Sequence, residues 1–194
     1  MSGSVWSWSA DELLRRAGSD DPTPGSGAVA AAAGALGVVL VRKAIAVTGE
    51  PAVALDDRAA ALEERARAAA DADVAAFGAL IDARGMAQDD AGQRAARDAA
   101  VEAALRAATE GPLQLVATLV DGLHLAADAL PLVQHELESD VLAGADLMRG
   151  AARAALRAVD LDLDQLERTG SADAQRLRER RDEVVAALAA ATEP

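Results

Sequence analysis

The chain of 194 residues contains no cysteine and no tyrosine, and it has only one phenylalanine and two tryptophans. Without cysteine, thiol catalysis, thiolate zinc sites and disulfides are excluded, and nothing in the sequence indicates a redox compartment. Aromatic and β-branched residues, which strands prefer, are scarce, so an all-β or large-sheet fold is excluded as well. Fifteen glycines and six prolines are too few for a collagenous or linker-like chain.

Alanine dominates what is present, with 52 of the 194 residues. Alanine is the best helix former, and an apolar fraction of 52% is high enough to exclude disorder caused by low hydrophobicity. The length suits one domain with a sizeable core. We therefore expect residues 1–194 to form a single all-α domain.

The charge balance is acidic, with 32 acidic residues, 19 basic residues and a formal net charge of -13. This balance argues against nucleic-acid partners and against docking on anionic membranes. The first ten residues lack the pattern of a secretory signal, and the uncharged apolar run at residues 28–41 is too short to span a bilayer. We expect a cytoplasmic protein.

Capping residues and hydrophobic spacing predict a row of helices. A short helix should follow Ser9, which has Glu12 three residues later as in a capping box. Asp89 and Asp90 can cap a later helix, and Gly111 followed by Pro112 should separate two long helices. The other long helices are expected at residues 28–47, 55–83, 113–130, 139–159 and 171–191. The predicted architecture is an up-and-down antiparallel bundle of four to five long helices.

Small residues at spacing four, such as Ala95, Ala99, Ala103 and Ala107, allow helices to approach closely. Each alanine buries little area, so the bundle is weakly held as a monomer. We therefore expect a homodimer, with residues 28–41 buried between subunits or between tightly packed helices.

Two segments are candidate sites. Residues 22–27 form a glycine-rich turn before a long helix, where unpaired backbone N–H groups can bind an anion or a carbonyl oxygen. The alternative is that this turn only redirects the chain. Ser139 and Asp140 begin another helix, and Asp140 could be a general base or the partner of a cationic ring nitrogen. The alternative is an ordinary helix cap.

Other polar side chains give weaker signals. Asp71 and Asp73 precede Phe77 and could form a carboxylate pair, although a solvated helix face is favoured. His124 and His135 have no metal-ligand partner at useful spacing and should be solvated, so we expect no metal site.

The order of these motifs resembles a known family. Pro22-Thr-Pro-Gly-Ser-Gly-Ala-Val-Ala-Ala, followed by Gly34-Ala-Leu-Gly, resembles the opening of the formiminotransferase-cyclodeaminase / methenyltetrahydrofolate cyclohydrolase family. The similarity continues in order and covers roughly residues 13–188. Its later matches are Asp73-x-x-Ala76-Phe77, Ala103, Ala107, Pro112, Ser139-Asp140 and the small-residue helix through Gly150.

The resemblance implies a homodimeric helical bundle that acts on one-carbon tetrahydrofolates without a metal or other cofactor. Asp140 is then the catalytic carboxylate. The residues expected to bind the folate substrate are Thr23, Pro24, Gly25, Ser26, Gly27, Lys43 and Ser139. Both the residue 22–27 loop and Asp140 stand at helix heads, so we expect them to meet around one cleft.

Three departures from the family pattern are visible. Gly25-Ser26-Gly27-Ala28 stands where the family has three glycines and a serine, Glu50 lies near the place of a lysine, and Asp162 replaces an asparagine. The cations left to hold a folate glutamate tail include Arg42, Lys43, Arg149 and Arg153.

Two reactions belong to the family. One hydrolyses 5,10-methenyltetrahydrofolate to 10-formyltetrahydrofolate, and the other closes 5-formiminotetrahydrofolate with loss of ammonia. We favour hydrolysis, since no formiminotransferase domain accompanies this one to supply a deaminase. The remaining alternative is a non-catalytic helical dimer that binds a small molecule or a partner protein.

Overall fold

A computed structural model describes residues 3–191, and this part of the chain is helical without any strand. Long helices α2 to α5 pack as a ring of neighbours in a four-helix bundle, and α6 lies against α4 and α5. The bounds are α1 (Ala10–Ala17), α2 (Ser26–Thr48), α3 (Asp56–Arg84), α4 (Ala91–Ala129), α5 (Glu138–Arg168) and α6 (Ala174–Ala190), with single 3-10 turns at Val5–Ser7, Ala52–Leu55 and His135–Leu137. The predicted all-α bundle is confirmed.

The two helices that pack most extensively, α2 and α5, run antiparallel. Lys43 lies beside Asp140, Gly37 beside Gly144, and Gly34 beside Ala151. A Cβ atom added at Gly37 would lie 2.6 Å from the carbonyl oxygen of Gly144, and the reverse substitution meets the same obstacle. Small residues thus let the two backbones touch here. The small residues named for close packing from their spacing, Ala95, Ala99, Ala103 and Ala107, instead form an exposed face of α4, so that prediction is wrong for them.

Helix α4 differs from the prediction because it continues through Pro112 for 39 residues instead of ending at Gly111. An interior proline loses one backbone hydrogen bond and costs about 3 kcal/mol. Burial of one leucine contributes about 1.5–3 kcal/mol, and Leu113, Leu115 and Leu119 are all buried here. Tertiary packing therefore outweighs the local stop signal.

The predicted caps have mixed outcomes. Ser9 Oγ accepts a hydrogen bond from the Glu12 N–H at 3.1 Å, and Asp90 Oδ1 accepts one from the Gln93 N–H at 2.8 Å. At α5, however, Leu137 is the residue before the helix and no side chain caps it, so Ser139 and Asp140 lie inside the first turn. The interpretation of Ser139 and Asp140 as a helix cap is wrong.

Helix α2 is long and apolar enough to cross a membrane by length and composition, although the uncharged run had suggested that it is too short. Most of its apolar window is buried against the other helices, as in the core helix of a bundle. One stripe stays exposed, including Val29, Leu36 and Val47. Residues 28–41, expected to be buried between subunits or between tightly packed helices, are therefore only partly buried within one chain.

Candidate functional site

The glycine-rich loop ends at the N-terminus of α2, which we call the head of this helix. Gly25 is the residue before the helix, in an extended conformation with φ -94° and ψ -165°, and no side chain caps the first turn. Pro24 follows a cis peptide bond and is buried. The backbone N–H groups of this turn can thus donate hydrogen bonds to acceptors from elsewhere in the fold or to a ligand.

The nearest such group is the carboxylate of Asp73, which α3 presents to the head of α2. A Cβ atom at Gly27 would collide with Oδ1 of Asp73, so glycine is required for this contact. Partial burial raises the pKa of Asp73, and hydrogen bonding from the Ala28 backbone N–H lowers it in part. The sequence favoured a solvated helix face for Asp73. This interpretation is wrong, because the Asp73 side chain contacts the start of α2.

Asp71, two residues earlier, has a different role. Its Oδ1 accepts a hydrogen bond from the Val5 N–H, and its Oδ2 accepts one from Ser4 Oγ, both at 2.7 Å. Asp71 thus fastens the N-terminal 3-10 turn to α3. Asp71 and Asp73 therefore do not form a carboxylate pair.

A second carboxylate, Asp162 of α5, comes to the same place. Partial burial raises the pKa of Asp162 to about 6; the Arg84 charge opposes this increase and the Asp73 charge adds to it. Arg84 is held in place by its Nη2, which donates to Oε1 of Gln165 at 2.9 Å. Asp162 can therefore exchange a proton near neutral pH.

Asp73 and Asp162 line one cavity of about 320 Å³ together with the guanidinium of Arg157, and we call it the α2-head cavity. It combines two carboxylates and one guanidinium with apolar walls and the glycine-rich loop. Its lining residues are Pro22, Gly25, Ser26, Gly27, Asp73, Phe77, Ala108, Arg157, Ala158, Leu161 and Asp162. An apolar cavity with a few converging polar groups is the usual form of a small-molecule site.

The predicted substrate-binding residues separate into two groups. Gly25, Ser26 and Gly27 line the α2-head cavity, whereas half-buried Thr23 and buried Pro24 belong to the loop behind it. Lys43 and Ser139 lie toward the opposite end of the bundle, with Asp140. The Nζ of Lys43 donates to Oδ2 of Asp140 at 2.7 Å.

The expectation that Asp140 and the residue 22–27 loop meet in one cleft is wrong within a single chain. Because α2 and α5 are antiparallel neighbours, the head of α5 meets the end of α2 rather than its head. Sixteen residues of helix separate Gly27 from Lys43, or about 24 Å. A catalytic role for Asp140 stays a prediction, and its position gives that role no support.

Sequence reasoning noted Asp162 only as a departure from the family's asparagine and favoured a solvated face for Asp73, so it missed both as site residues, yet a signal existed. Each lies on the buried stripe of its helix, three residues after a fully buried alanine or valine: Ala70 before Asp73, and Val159 before Asp162. An acidic residue on a core-facing stripe needs a compensating environment. Arg157, Ala158, Leu161 and Ala108 carried no comparable signal.

The histidines do not contribute to this cavity. His124 and His135 are exposed, as expected, and His135 Nδ1 lies 3.1 Å from Oε1 of Glu138. Among residues 3–191, no group of three or more His, Cys, Asp or Glu side chains could hold a metal ion.

Comparison with solved structures identifies the fold. The chain superposes on the crystal structure of a formiminotetrahydrofolate cyclodeaminase from Thermotoga maritima with a TM-score of 0.81, covering 96% of this chain and 93% of that one at 20% sequence identity. The family model described as formiminotransferase-cyclodeaminase matches residues 9–183. The chain therefore belongs to the formiminotransferase-cyclodeaminase family. A search of curated proteins gave no significant match.

Proposed function

We propose that the protein is an enzyme of one-carbon tetrahydrofolate metabolism that hydrolyses 5,10-methenyltetrahydrofolate to 10-formyltetrahydrofolate in the α2-head cavity. The observation that carries this proposal is the pair of partly buried carboxylates, Asp73 and Asp162, in one apolar cavity. Membership in the family supports the substrate class.

The charge of the cavity suits this substrate. The methenyl carbon is part of a cationic amidinium group, and a carboxylate in a partly desolvated site stabilises such a cation more strongly than water does. Asp73 is held against the head of α2 by the contact with Gly27. Its orientation is thus set before the substrate binds.

The proposed reaction needs one proton acceptor and one proton donor. Asp73 takes a proton from a water molecule as the water oxygen bonds to the methenyl carbon, giving a tetrahedral intermediate. The bond from this carbon to N5 then breaks while N5 gains a proton and the intermediate loses its hydroxyl proton. The formyl group stays on N10, and one proton is released in the net reaction. Asp162 suits the donor step because its pKa of about 6 keeps it partly protonated near neutral pH.

Loss of the ring absorbance of 5,10-methenyltetrahydrofolate, corrected for the rate in buffer alone, measures this activity directly. Asp73→Asn should lower turnover by about 10²–10⁴ because it removes the proton acceptor but keeps the side-chain shape. Asp82→Asn is the matched control, since Asp82 is an exposed aspartate on the same helix. A wild-type rate equal to that in buffer would overturn the proposal and favour a non-catalytic binding protein.

Cyclodeamination of 5-formiminotetrahydrofolate is the second candidate, favoured by the activity named for the similar Thermotoga maritima structure. In that reaction N10 loses its proton as it bonds to the formimino carbon, the departing NH nitrogen takes up that proton and a second one, and its bond to the carbon breaks with release of ammonia. A protonated Asp162 could supply a proton to that nitrogen. Ammonia released from 5-formiminotetrahydrofolate, measured beside the hydrolysis assay, distinguishes the two reactions.

We also propose that the protein is a homodimer in the cytoplasm, with a second copy covering the exposed stripe of α2 and the adjoining face of α5. Leu36 is 58% exposed, and Leu147 beside Gly37 is also exposed, so this face is apolar without being part of the monomer core. Leu36→Glu should give a folded monomer near 20 kDa by light scattering. A monomeric wild-type protein would refute the dimer.

A further inference from the structure

The α2-head cavity lies where α3 and α5 continue past the start of α2. These two helices are diagonal neighbours in the bundle, with α2 and α4 between them. Gly27 of α2 contacts Asp73, and from there α3 continues for eleven residues to Arg84, or about 16 Å. Helix α5 likewise continues past the head of α2, from Ala158 at the cavity to Arg168. The space between α3 and α5 is there left to the glycine-rich loop and the cavity.

One hydrogen bond joins the two diagonal helices beyond the head of α2. The Nη2 of Arg84, at the end of α3, donates to Oε1 of Gln165 on α5 at 2.9 Å. The backbone carbonyl of Arg84 accepts a second hydrogen bond, from Nε of Arg97 on α4 at 3.3 Å. Arg84 is thus held by two other helices, at its side chain and at its backbone. An arginine held in this way samples fewer side-chain positions than a free surface arginine does.

The hydrogen bond to Gln165 places the Arg84 charge next to Asp162. Gln165 follows Asp162 by three residues on α5, so the two side chains are neighbours on one face, with Cβ atoms about 5–6 Å apart. The Arg84 charge accordingly lowers the pKa of Asp162 against the larger effect of burial. Without this hydrogen bond, the long Arg84 side chain would extend into water, where its charge is screened.

The other charged groups near Asp162 do not replace Arg84. Asp73 on α3 acts in the opposite direction and raises the pKa of Asp162. Arg157 also lines the cavity, but it lies five residues before Asp162 and therefore on a different part of the α5 surface. The cavity lining from α2 and α4 includes no ionisable side chain. The two neighbouring aspartates of α5 pair with arginines of α6: Asp160 with Arg181, and Asp164 with Arg178.

We propose that Gln165 is a positioning residue that holds the Arg84 guanidinium beside Asp162 and thereby sets the pH range in which Asp162 acts as the proton donor. This inference rests on the proposed function for the donor role of Asp162. Gln165 does not itself line the α2-head cavity, so it acts through Arg84 and not on the substrate. Loss of the hydrogen bond should raise the pKa of Asp162 by about 0.5–1 pH unit, and Asp162 should then stay protonated to a higher pH.

The pKa of Asp162 can be measured without turnover, from the carboxyl ¹³C chemical shift of labelled protein between pH 5 and 8, with Asp162→Asn to assign the signal. Gln165→Ala removes the acceptor, keeps a good helix former and should raise this pKa by about 0.5–1 unit. Gln134→Ala, at an exposed connector residue beside the end of α2, is the matched control and should not change it. An equal pKa in wild type and Gln165→Ala would refute the positioning role.

A double-mutant cycle tests whether Gln165 acts through Arg84. Arg84→Gln should raise the pKa of Asp162 by itself, and Gln165→Ala added to Arg84→Gln should change it no further. A merely structural effect of Gln165 would instead appear in both backgrounds, so additive shifts would overturn the inference.

The pH profile of methenyltetrahydrofolate hydrolysis separates this inference from the proposed reaction. The wild-type kcat should fall at high pH as Asp162 loses its proton, and the midpoint should lie about 0.5–1 pH unit higher in Gln165→Ala than in wild type and Gln134→Ala. The expected pKa shift without turnover in any of these proteins would overturn the proposed reaction, while the positioning of Arg84 by Gln165 would stand. Turnover with the same midpoint in wild type and Gln165→Ala would overturn the positioning role alone.

Discussion

The Asp162→Asn variant should be more stable than the wild-type protein, and this difference in stability should be larger at pH 8 than at pH 5. The folded-state pKa of Asp162 is raised from 3.8 to about 6, chiefly by burial, so the folded protein binds this proton more tightly than the unfolded chain does. Stability from the protonated carboxyl is complete below pH 3.8 and is lost as the pH rises through 6. Asparagine is neutral throughout this range.

The magnitude follows from the shift and from the surroundings of the side chain. A shift of about two pH units in a fully buried group corresponds to about 3 kcal/mol, and partial exposure of Asp162 reduces this to about 1–2 kcal/mol. The charged groups near it are Asp73 and Arg84 on α3 and Arg157 on α5. Asparagine removes the repulsion from Asp73 but also the attraction to Arg84. The expected gain in stability is therefore at the lower end of this range.

Thermal or urea unfolding of both proteins between pH 5 and 8 measures the difference, and these conditions stay above the isoelectric point near 4.5. The Asp162→Asn variant should melt about 2–4 °C higher at pH 8 for each kcal/mol, and this advantage should shrink toward pH 5. Asp164→Asn, at an exposed position two residues further along α5, controls for the change in net charge. A lower stability of Asp162→Asn at pH 8, or a difference that grows toward pH 5, would refute this reasoning.

Three further substitutions test separate parts of the structure. Gly27→Ala should lower turnover by about 10² or more, because the added methyl group displaces the Asp73 carboxylate. The control is Gly150→Ala, an exposed helix position outside the α2-head cavity whose added Cβ meets no atom within 4 Å. Unchanged turnover in Gly27→Ala would remove Asp73 from the mechanism. Gly37→Ala should destabilise the fold by about 1–3 kcal/mol in urea unfolding, because the added methyl group forces α2 away from α5. Gly78→Ala, on an open part of α3, should instead stabilise the fold by about 0.5–1 kcal/mol. Equal effects of the two substitutions would contradict the close helix contact. Asp140→Asn should change turnover less than tenfold, since Asp140 pairs with Lys43 away from the α2-head cavity, and a loss of 10²–10⁴ would restore it as the catalytic carboxylate.

Local sequence signals were reliable where one segment alone determines the outcome. Alanine content and hydrophobic spacing predicted the helices, and Ser9 and Asp90 cap them as expected. The four-residue alanine spacing in α4 was misleading, because Ala95, Ala99, Ala103 and Ala107 face solvent, whereas the close helix contact is made by Gly37 and Gly144. The order of motifs led to the correct family because it reflects the whole chain and not one segment.

Local signals failed where a cost within one helix is offset by contacts with another. Gly111 and Pro112 mark a stop, but the buried leucines that follow keep α4 continuous. Asp73 appeared solvated in isolation, because the glycine it contacts lies 46 residues earlier in the chain.

The composition and periodicity of the sequence by themselves determined the helical class, the approximate helix positions and the acidic surface, since each follows from residue type and short-range spacing. Only the tertiary structure decided which helix heads share an end of the bundle. Antiparallel packing of α2 and α5 separates Asp140 from the glycine-rich loop and brings Asp162 to it instead. Packing of α3 against α2 brings Asp73 to the same loop. The reason is geometric: spacing along one helix defines a face, but the direction in which two helices pack determines which faces and ends meet.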